Sequence, residues 1–258
     1  MTAGSNTPRT HRASARRRPR AAVTVMVLAL AAAVVCLLTA HGLPGGADPA
    51  VTPVAVDGET HGGTSGATAD VSVPESGPGT FTVARADARR TGTGRPYRVE
   101  VEDDMGVDPD EAAEQIAAIL DDVRGWARGA GVTFRQVADD SAALVIRIAT
   151  PDTADAICAT GGLDTEGELN CRVGRTVAVN LKRWQLGSPE FAGPPEEYRA
   201  LIINHEVGHW LGYDHRACPG PGRSAPVMMQ QIKGLHGCVS NAWPYAADGS
   251  FLDGPKVP

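Results

Sequence analysis

Three histidines and one glutamate near the C-terminal end constrain the fold of this chain more than any other feature. Residues 198–215 have the sequence YRALIINHEVGHWLGYDH, in which His205 and His209 are four residues apart and Glu206 follows the first of them. Residues four apart lie on one face of a helix, so the two imidazoles can point at a common centre. Glu206 then lies one step round the helix, beside that centre.

Gly212 determines where this helix has to stop. A continued helix would carry the chain away from His205 and His209. Glycine adopts the left-handed conformation that commonly ends helices, and the resulting turn lets His215 return to the same centre. Three imidazoles in this arrangement predict a Zn²⁺ site with His205, His209 and His215 as metal ligands.

The predicted site has the chemistry of a hydrolase. Three neutral ligands leave zinc dipositive with a fourth position for water, whose pKa can fall from 15.7 towards about 7. Glu206 is the predicted catalytic residue, a general base that takes the proton of this water and passes it to the leaving amine. The alternative is three core or surface histidines without a metal, which the complete spacing disfavours.

The pattern His-Glu-x-x-His-x-x-Gly-x-x-His resembles the metzincin metallopeptidases. Proteins of that class have a methionine-containing turn beneath the zinc, and Pro-Val-Met-Met-Gln stands here at residues 226–230. The resemblance assigns the Met-turn role to Met228, with Met229 as the alternative. It implies a zinc-dependent peptidase that acts on a peptide or protein substrate.

A second resemblance extends beyond the histidines. Residues 97–102, 204–209, 218–222 and 226–230 resemble an actinobacterial family of unknown function that carries metzincin-like zinc motifs, and the likeness spans about residues 81–244. It implies no substrate. Two positions depart from the well-studied metzincins, because Arg216 follows the third histidine and no tyrosine directly follows the Met-turn. Tyr213 and Tyr245 are the alternative candidates for assisting the oxyanion.

Hydrophobic periodicity predicts the rest of the fold. Residues 81–83 and 97–102 alternate as half-buried strands do, and residues 132–137, 143–149 and 175–181 are three further predicted strands. Asp108 and Pro109 start a helix that we expect to run to about Arg128, with an apolar stripe at Ala112, Ile116, Ile119, Leu120 and Val123. The prediction is an α+β, metzincin-like single domain over residues 80–258, with a twisted mixed sheet, a backing helix and a zinc-ligand helix.

The N-terminal third has the composition of an export segment followed by a linker. Residues 1–20 hold six arginines and no acid, and residues 21–40 hold no charge, so the arginines should stay in the cytoplasm while the apolar segment crosses the membrane. We expect a single-pass cell-membrane protein with an extracytoplasmic C-terminal domain, or a secreted protein if the segment is a cleaved signal peptide. Residues 41–79 are rich in Gly, Pro and Thr, which predicts a flexible linker.

The charge balance restricts the partners. Beyond residue 40 the chain has 18 basic and 30 acidic side chains, a formal charge of −12, because all six arginines of the first forty residues are removed and no acid is. Such a domain should repel nucleic acid and anionic membrane surfaces. The expected partners are therefore a peptide or protein substrate and, through the N-terminal helix, the membrane.

Four cysteines fall in the exported part and predict disulfide bonds, since thiols pair in an oxidising compartment. Three pairings are possible. The sequence-local one, Cys158 with Cys171 and Cys218 with Cys238, is favoured because each bond closes a short loop. The irregular spacing of acids between Cys158 and Cys171 favours a solvated loop over a calcium site.

The leading hypothesis is therefore an extracytoplasmic zinc endopeptidase. The alternative is a non-catalytic zinc-binding scaffold or binding module of the same fold, but a structural zinc needs no general base, so the presence of Glu206 favours hydrolysis. A metal-free adhesion domain would leave the histidine spacing unexplained. Asn204 and Asp214, which adjoin two of the ligands, are candidates for orienting the imidazoles.

Overall fold

Strands and helices both occur along the chain, and the segment with the first two of the three histidines is a helix. The structure is a computed structural model that describes residues 72–86 and 93–257. The strands are β1 Phe81–Val83, β2 Arg95–Glu102, β3 Phe134–Gln136, β4 Leu144–Ala149, β5 Cys171–Val173 and β6 Thr176–Asn180. The helices are α1 Pro109–Asp121, α2 Ala127–Ala130, α3 Pro151–Ala159, α4 Leu181–Leu186 and α5 Pro195–Trp210, with a 3-10 helix at Gln231–Lys233. The predicted α+β class is confirmed.

The strands of the described residues form one mixed sheet in the order β1-β2-β4-β6-β5, with β3 paired to β2. β2, β4 and β6 are parallel to each other, whereas β1 and β5 run antiparallel at the edges. β3 is parallel to the first residues of β2, and β1 pairs with the last residues of the same strand. The nearly continuous apolar run of β4 is buried, as expected of a central strand.

Side chains of β6 show which helices cover each face of the sheet. Val177 and Val179 belong to the main core, which also contains residues of α1, α4 and α5. Ala178, between them, packs instead with Cys158 of α3. Successive strand residues point to opposite faces, so α1, α4 and α5 cover one face and α3 lies on the other. The helix with the histidines therefore packs directly on the sheet.

Helix α1 begins as the sequence predicts and ends earlier. The Asp108 side chain accepts hydrogen bonds from the backbone N–H groups of Asp110 and Glu111 at 2.8 and 2.9 Å. The helix stops at Asp121, because Asp122 is extended and its carboxylate accepts the backbone N–H of Arg124. The predicted continuation to about Arg128 is wrong, and Val123, assigned to the buried stripe, is 72% exposed. The turn lets the next residues enter the core.

Three short elements, α3, α4 and β5, were not predicted from the sequence pattern. The predicted strand over residues 175–181 ends at Asn180, whose side chain caps α4 by accepting the Lys182 backbone N–H at 2.9 Å. The polar connection predicted between the first two cysteines starts within α3 and ends in β5. Short elements of this kind have too few residues to show a clear period.

The N-terminal predictions fall mostly outside the described residues. Residues 1–20, the predicted membrane segment 21–40 and residues 41–71 of the predicted linker belong to that part of the chain. Residues 72–79 contact the domain: Val73 packs on the main core, and the Gly79 N–H donates to Glu102 at 2.8 Å. Within the part of the chain that the structure describes, no helix is both long enough and apolar enough to cross a membrane.

Candidate metal centre

The histidine helix α5 owes its end to a glycine. It starts with Pro195 in its first turn and runs to Trp210. Gly212 then has φ 95°, and the Tyr213 N–H donates back to the Gly208 carbonyl at 2.9 Å. This turn reverses the chain where the sequence predicts it, and it brings His215 beside the C-terminal end of the helix.

The three predicted ligands converge. One ring nitrogen from each of His205, His209 and His215 lies within 4.8 Å of the others, and Nε2 of His209 is 3.1 Å from Nε2 of His215. Three nitrogens at about 2.0 to 2.1 Å from one tetrahedral zinc would be roughly 3.3 to 3.4 Å apart, so small ring rotations suffice. Among the described residues, this is the one group of side chains found with such a convergence.

Backbone carbonyls orient two of the rings. His205 Nδ1 lies 2.8 Å from the Val227 carbonyl, and His209 Nδ1 lies 2.9 Å from the Tyr213 carbonyl. A carbonyl only accepts, so Nδ1 carries the hydrogen in both neutral rings and Nε2 keeps its lone pair for the centre. Burial lowers the pKa of all three histidines, to about 3 for His205. The donor set is therefore neutral and suits zinc.

Glu206 lies in a buried position beside this centre. Its side chain lines the same cavity as the three imidazoles, and the residue is 5% exposed. Burial raises the pKa of Glu206 to about 8, and the nearby Arg172 guanidinium acts in the opposite direction. A carboxylate with a raised pKa is a stronger base than an exposed one, which is the property that a proton acceptor at neutral pH needs.

A buried layer, which we call the floor, lies beneath the histidines and consists of Gly208, Val227 and Met228. Met228 is 2% exposed, and its Sδ would lie 2.3 Å from a Cβ placed on Gly208. Trp126 also packs against Gly208, and its indole N–H donates to the Asn204 carbonyl at 2.8 Å. Only a glycine allows this close approach, so the sulfur of Met228 packs directly on the helix that carries the ligands.

Met228 and Met229 have different surroundings, which separates the two Met-turn candidates. Met228 belongs to the main core with residues of α5. Met229 packs with Ala225 and Cys238 in a smaller cluster around the Cys218–Cys238 disulfide. The position that the resemblance assigns to Met228 is therefore the one next to the histidine helix.

Both predicted disulfides are present and the favoured pairing is confirmed. Cys218–Cys238 spans the segment that contains the floor residues Val227 and Met228. Cys158–Cys171 joins α3 to β5 and closes the loop of residues 159–170. We call residues 161–173 the rim. Asp155 of α3 holds the rim by accepting hydrogen bonds from the Thr165 hydroxyl and the Gly167 N–H. The rim is therefore a solvated loop held by a disulfide, as predicted, and it is anchored further by Asp155.

A cavity of about 390 Å³ opens between the rim and the histidines. One part of its wall is apolar and is formed by Leu163, Leu169, Leu201 and Ile202. The polar wall is formed by Asp164, Asn170, Arg172, Gln230 and Lys233. Its size and mixed lining are those of a pocket that binds a small molecule or a few residues of a peptide.

Several candidate residues have other roles. Asn204 does not contact the imidazoles, since its side-chain amide donates to the Ala242 carbonyl at 3.0 Å. Tyr213 stacks on Trp126 at 4.4 Å, and Tyr245 packs against Phe251, so neither lines the cavity. Arg216 pairs with Asp253 at 2.7 Å. Asp214 is exposed and acts on His209 and His215 only through its charge.

Sequence reasoning missed the residues that reach the site from distant parts of the chain. Arg172 lies 34 positions before Glu206, and the Val227 carbonyl belongs to the segment after the histidines. Only Gly208 could have been found from the local sequence. A glycine inside a helix lowers the stability of the helix, so its presence indicates that another group packs closely against that position.

The comparisons with known proteins agree with the wider resemblance. The chain belongs to the family described as Protein of unknown function (DUF3152), whose model matches residues 68–241. That range includes the three histidines, Glu206, the floor and the rim. No match was found among the curated proteins or among the solved structures. The family description names no activity, so any function has to be argued from the site itself.

Proposed function

We propose that this protein is an extracytoplasmic zinc-dependent peptidase of the metzincin type. The observation that carries the proposal is the convergence of His205, His209 and His215, with Glu206 buried in the same cavity. Met228 beneath the helix supports the metzincin assignment. The two disulfides support an oxidising compartment, which the N-terminal export segment of the sequence also indicates.

His205, His209 and His215 would hold the zinc through Nε2. Bound there, zinc supplies a Lewis acid that lowers the pKa of water towards about 7 and polarises a carbonyl. The chain's own residues do the rest. The Val227 and Tyr213 carbonyls hold two of the imidazoles in the required orientation. The Glu206 carboxylate accepts the proton of the attacking water and returns it to the leaving amine.

The strand β5 supports a peptide as the substrate. It pairs with β6 on one side and, among the described residues, with no strand on the other. Cys171 and Arg172 of this strand line the cavity of the metal centre. An edge strand can pair with an extended peptide through main-chain hydrogen bonds, which would lay the peptide across the histidines. An endopeptidase fits this open arrangement.

A comparison of two isosteric variants tests the proposal. The full-length chain is purified under oxidising conditions in detergent, its zinc content is measured by mass spectrometry, and cleavage of a mixed peptide library is assayed. Glu206→Gln should keep one zinc per chain and lose about 10²- to 10⁴-fold in cleavage rate. Glu197→Gln, the same change at an exposed position of the same helix, should behave as wild type.

Three outcomes would contradict the proposal. Absence of bound zinc in the wild type would reject the metal centre. Equal cleavage by wild type and Glu206→Gln would reject the role of Glu206. Bound zinc without cleavage in any variant would favour the non-catalytic scaffold instead.

A further inference from the structure

Arg172 is a charged residue of the metal-site cavity that the proposed function does not use. It lies at the centre of β5, where Cys171 and Val173 pack with Cys158 on the α3 face of the sheet. Strand residues alternate, and Arg172 is in register with Val177, which faces α5. Arg172 therefore projects to the face that carries the histidines, and it lines the cavity together with Glu206.

Other cations close to the rim are already paired. Lys182 and Arg183 both form ion pairs with Glu168 of the rim. Arg175 donates to the Ala142 carbonyl at 2.8 Å. These side chains are therefore engaged in holding the rim and its neighbours in place.

Arg172 differs from these cations because it has a hydrogen-bond donor without a partner. Its Nη1 donates to the Gly174 carbonyl at 3.2 Å, while its Nε is buried and has no hydrogen-bond partner. No carboxylate among the described residues forms an ion pair with it. The guanidinium therefore has an uncompensated charge and a spare donor, which an anionic ligand in the cavity would satisfy after a small rotation of the side chain.

The charges around the cavity indicate the charge of the ligand that would bind there. Arg172 and Lys233 are the cations of its lining, and Asp164 and Glu206 are the carboxylates. A bound dication would make the total positive, which favours an anion. Arg172 acts electrostatically on Glu206 and His209, so its charge lies close to the reacting centre. A guanidinium matches a carboxylate through two parallel hydrogen bonds.

We propose that Arg172 binds a carboxylate of the molecule that occupies the metal-site cavity, so that the protein prefers anionic peptides. The inference rests on the proposed function in that the molecule is taken to be a peptide. The carboxylate can come from a Glu or Asp side chain near the scissile bond or from the free C-terminus. Both sources offer the same group to the guanidinium.

Two hydroxamates test the anion site without requiring cleavage. Succinic acid monohydroxamate and its monoamide bind zinc through the same group and differ only in a carboxylate. Calorimetry on the zinc-loaded full-length protein should show about 10- to 100-fold tighter binding of the acid. Arg172→Gln should abolish that preference, and Arg172→Lys should restore part of it. Arg223→Gln removes an exposed charge outside the cavity and should leave the preference unchanged.

Peptide pairs then identify the source of the carboxylate. One pair differs in a free or amidated C-terminus, and further pairs carry Glu or Gln at each position flanking the scissile bond. The pair that shows a wild-type preference in kcat/KM, and loses it in Arg172→Gln, reports the group that Arg172 binds. Because Arg172→Gln also changes the pKa of Glu206, the amide or Gln peptide is the reference, and only the ratio of the two kcat/KM values within a pair reports carboxylate binding.

The outcomes separate this inference from the proposed function. Equal affinity of the two hydroxamates for the wild type would overturn the anion site, whatever the peptidase activity. Binding of neither hydroxamate would reject the metal centre and this inference with it. A hydroxamate preference that depends on Arg172, without cleavage of any peptide, would support the anion site and overturn peptide hydrolysis.

Discussion

The floor and the rim both contact the histidine helix and are both secured by a disulfide, yet they are built differently. The floor is apolar and buried, with Val227 1% and Met228 2% exposed. The rim is held by polar contacts to Asp155 and by the ion pairs of Glu168, and its Leu163 is 45% exposed. Close packing tolerates little displacement, whereas an exposed loop can change without disturbing the core. The floor thus holds α5 and its imidazoles in place, and the rim borders the cavity beside them.

The largest expected effect comes from the floor. Met228→Ala should lower the free energy of unfolding by about 2–5 kcal/mol and weaken zinc binding, because α5 loses the side chain that packs on Gly208. Met229→Ala removes a similar buried side chain from the disulfide cluster and should leave zinc affinity unchanged. Urea unfolding and titration with a competing chelator measure both quantities. Equal weakening of zinc binding in the two variants would contradict the claim that Met228, and not Met229, supports the histidine helix.

Removal of each disulfide compares the two regions directly. The bonds close loops of 20 and 13 residues, so Cys218→Ser/Cys238→Ser and Cys158→Ser/Cys171→Ser should each cost about 3 kcal/mol. Zinc affinity should fall only in the first double variant, and the KM for peptides should rise only in the second. Chelator competition and steady-state kinetics separate these effects. Loss of zinc affinity in the second variant would show that the rim also supports the metal.

The pH dependence of stability tests the electrostatic interaction between Arg172 of the rim and Glu206 of α5. Burial raises the pKa of Glu206 from 4.5 to about 8, so the folded metal-free protein holds a proton that the unfolded chain releases. Glu206 by itself should therefore make the free energy of unfolding fall as the pH rises from 4.5 to 8. The three histidines, whose pKa values are lowered by burial, act in the opposite direction until the pH is well above the ordinary imidazole pKa of 6.5. Relative to Glu206→Gln, which keeps the histidines, the decrease between pH 6.5 and 8 should reach up to about 2 kcal/mol.

Urea unfolding of the metal-free protein at several pH values measures this slope. Glu206→Gln should show no such decrease over the same range. Because the Arg172 charge lowers the pKa of Glu206, Arg172→Gln should extend the decrease to higher pH. The same profile in the wild type and in Glu206→Gln would mean that Glu206 is solvated rather than buried.

The smallest effect is expected at the mouth of the cavity. Leu163→Asn should change the free energy of unfolding by less than about 0.5 kcal/mol and raise the KM for apolar peptides by about two- to tenfold. Val239→Asn alters an equally exposed apolar residue outside the cavity and should change neither. Steady-state kinetics measure the KM of both variants, and urea unfolding measures their stability. A similar KM in both variants would remove Leu163 from substrate binding.

The histidine site was predictable to a large extent because its signals are local. His205 and His209 lie four residues apart on α5, as predicted. Gly212 has a positive φ just beyond the end of that helix, which the sequence also predicted. The disulfide pairing followed from short loops. The start of α1 was equally local, since Asp108 caps a helix that begins at the next residue.

The end of α1 was not predictable from its apolar stripe. Asp122 and Gly125 form a turn that brings Trp126 into the core, where its indole donates to the Asn204 carbonyl 78 positions later. The helix thus ends where the chain turns towards this buried contact. A pattern within one segment carries no information about such a partner.

The sequence alone determined which residues can serve as metal ligands, where the helix breaks and which cysteines lie close enough to pair, because each property depends on spacing within one segment. Only the tertiary structure decided that the Val227 carbonyl orients His205, that Met228 rather than Met229 packs on Gly208, and that Arg172 lines the same cavity as Glu206. These contacts join distant segments. They depend on how the sheet, α5 and the disulfide-closed loops pack against each other, which no local pattern specifies.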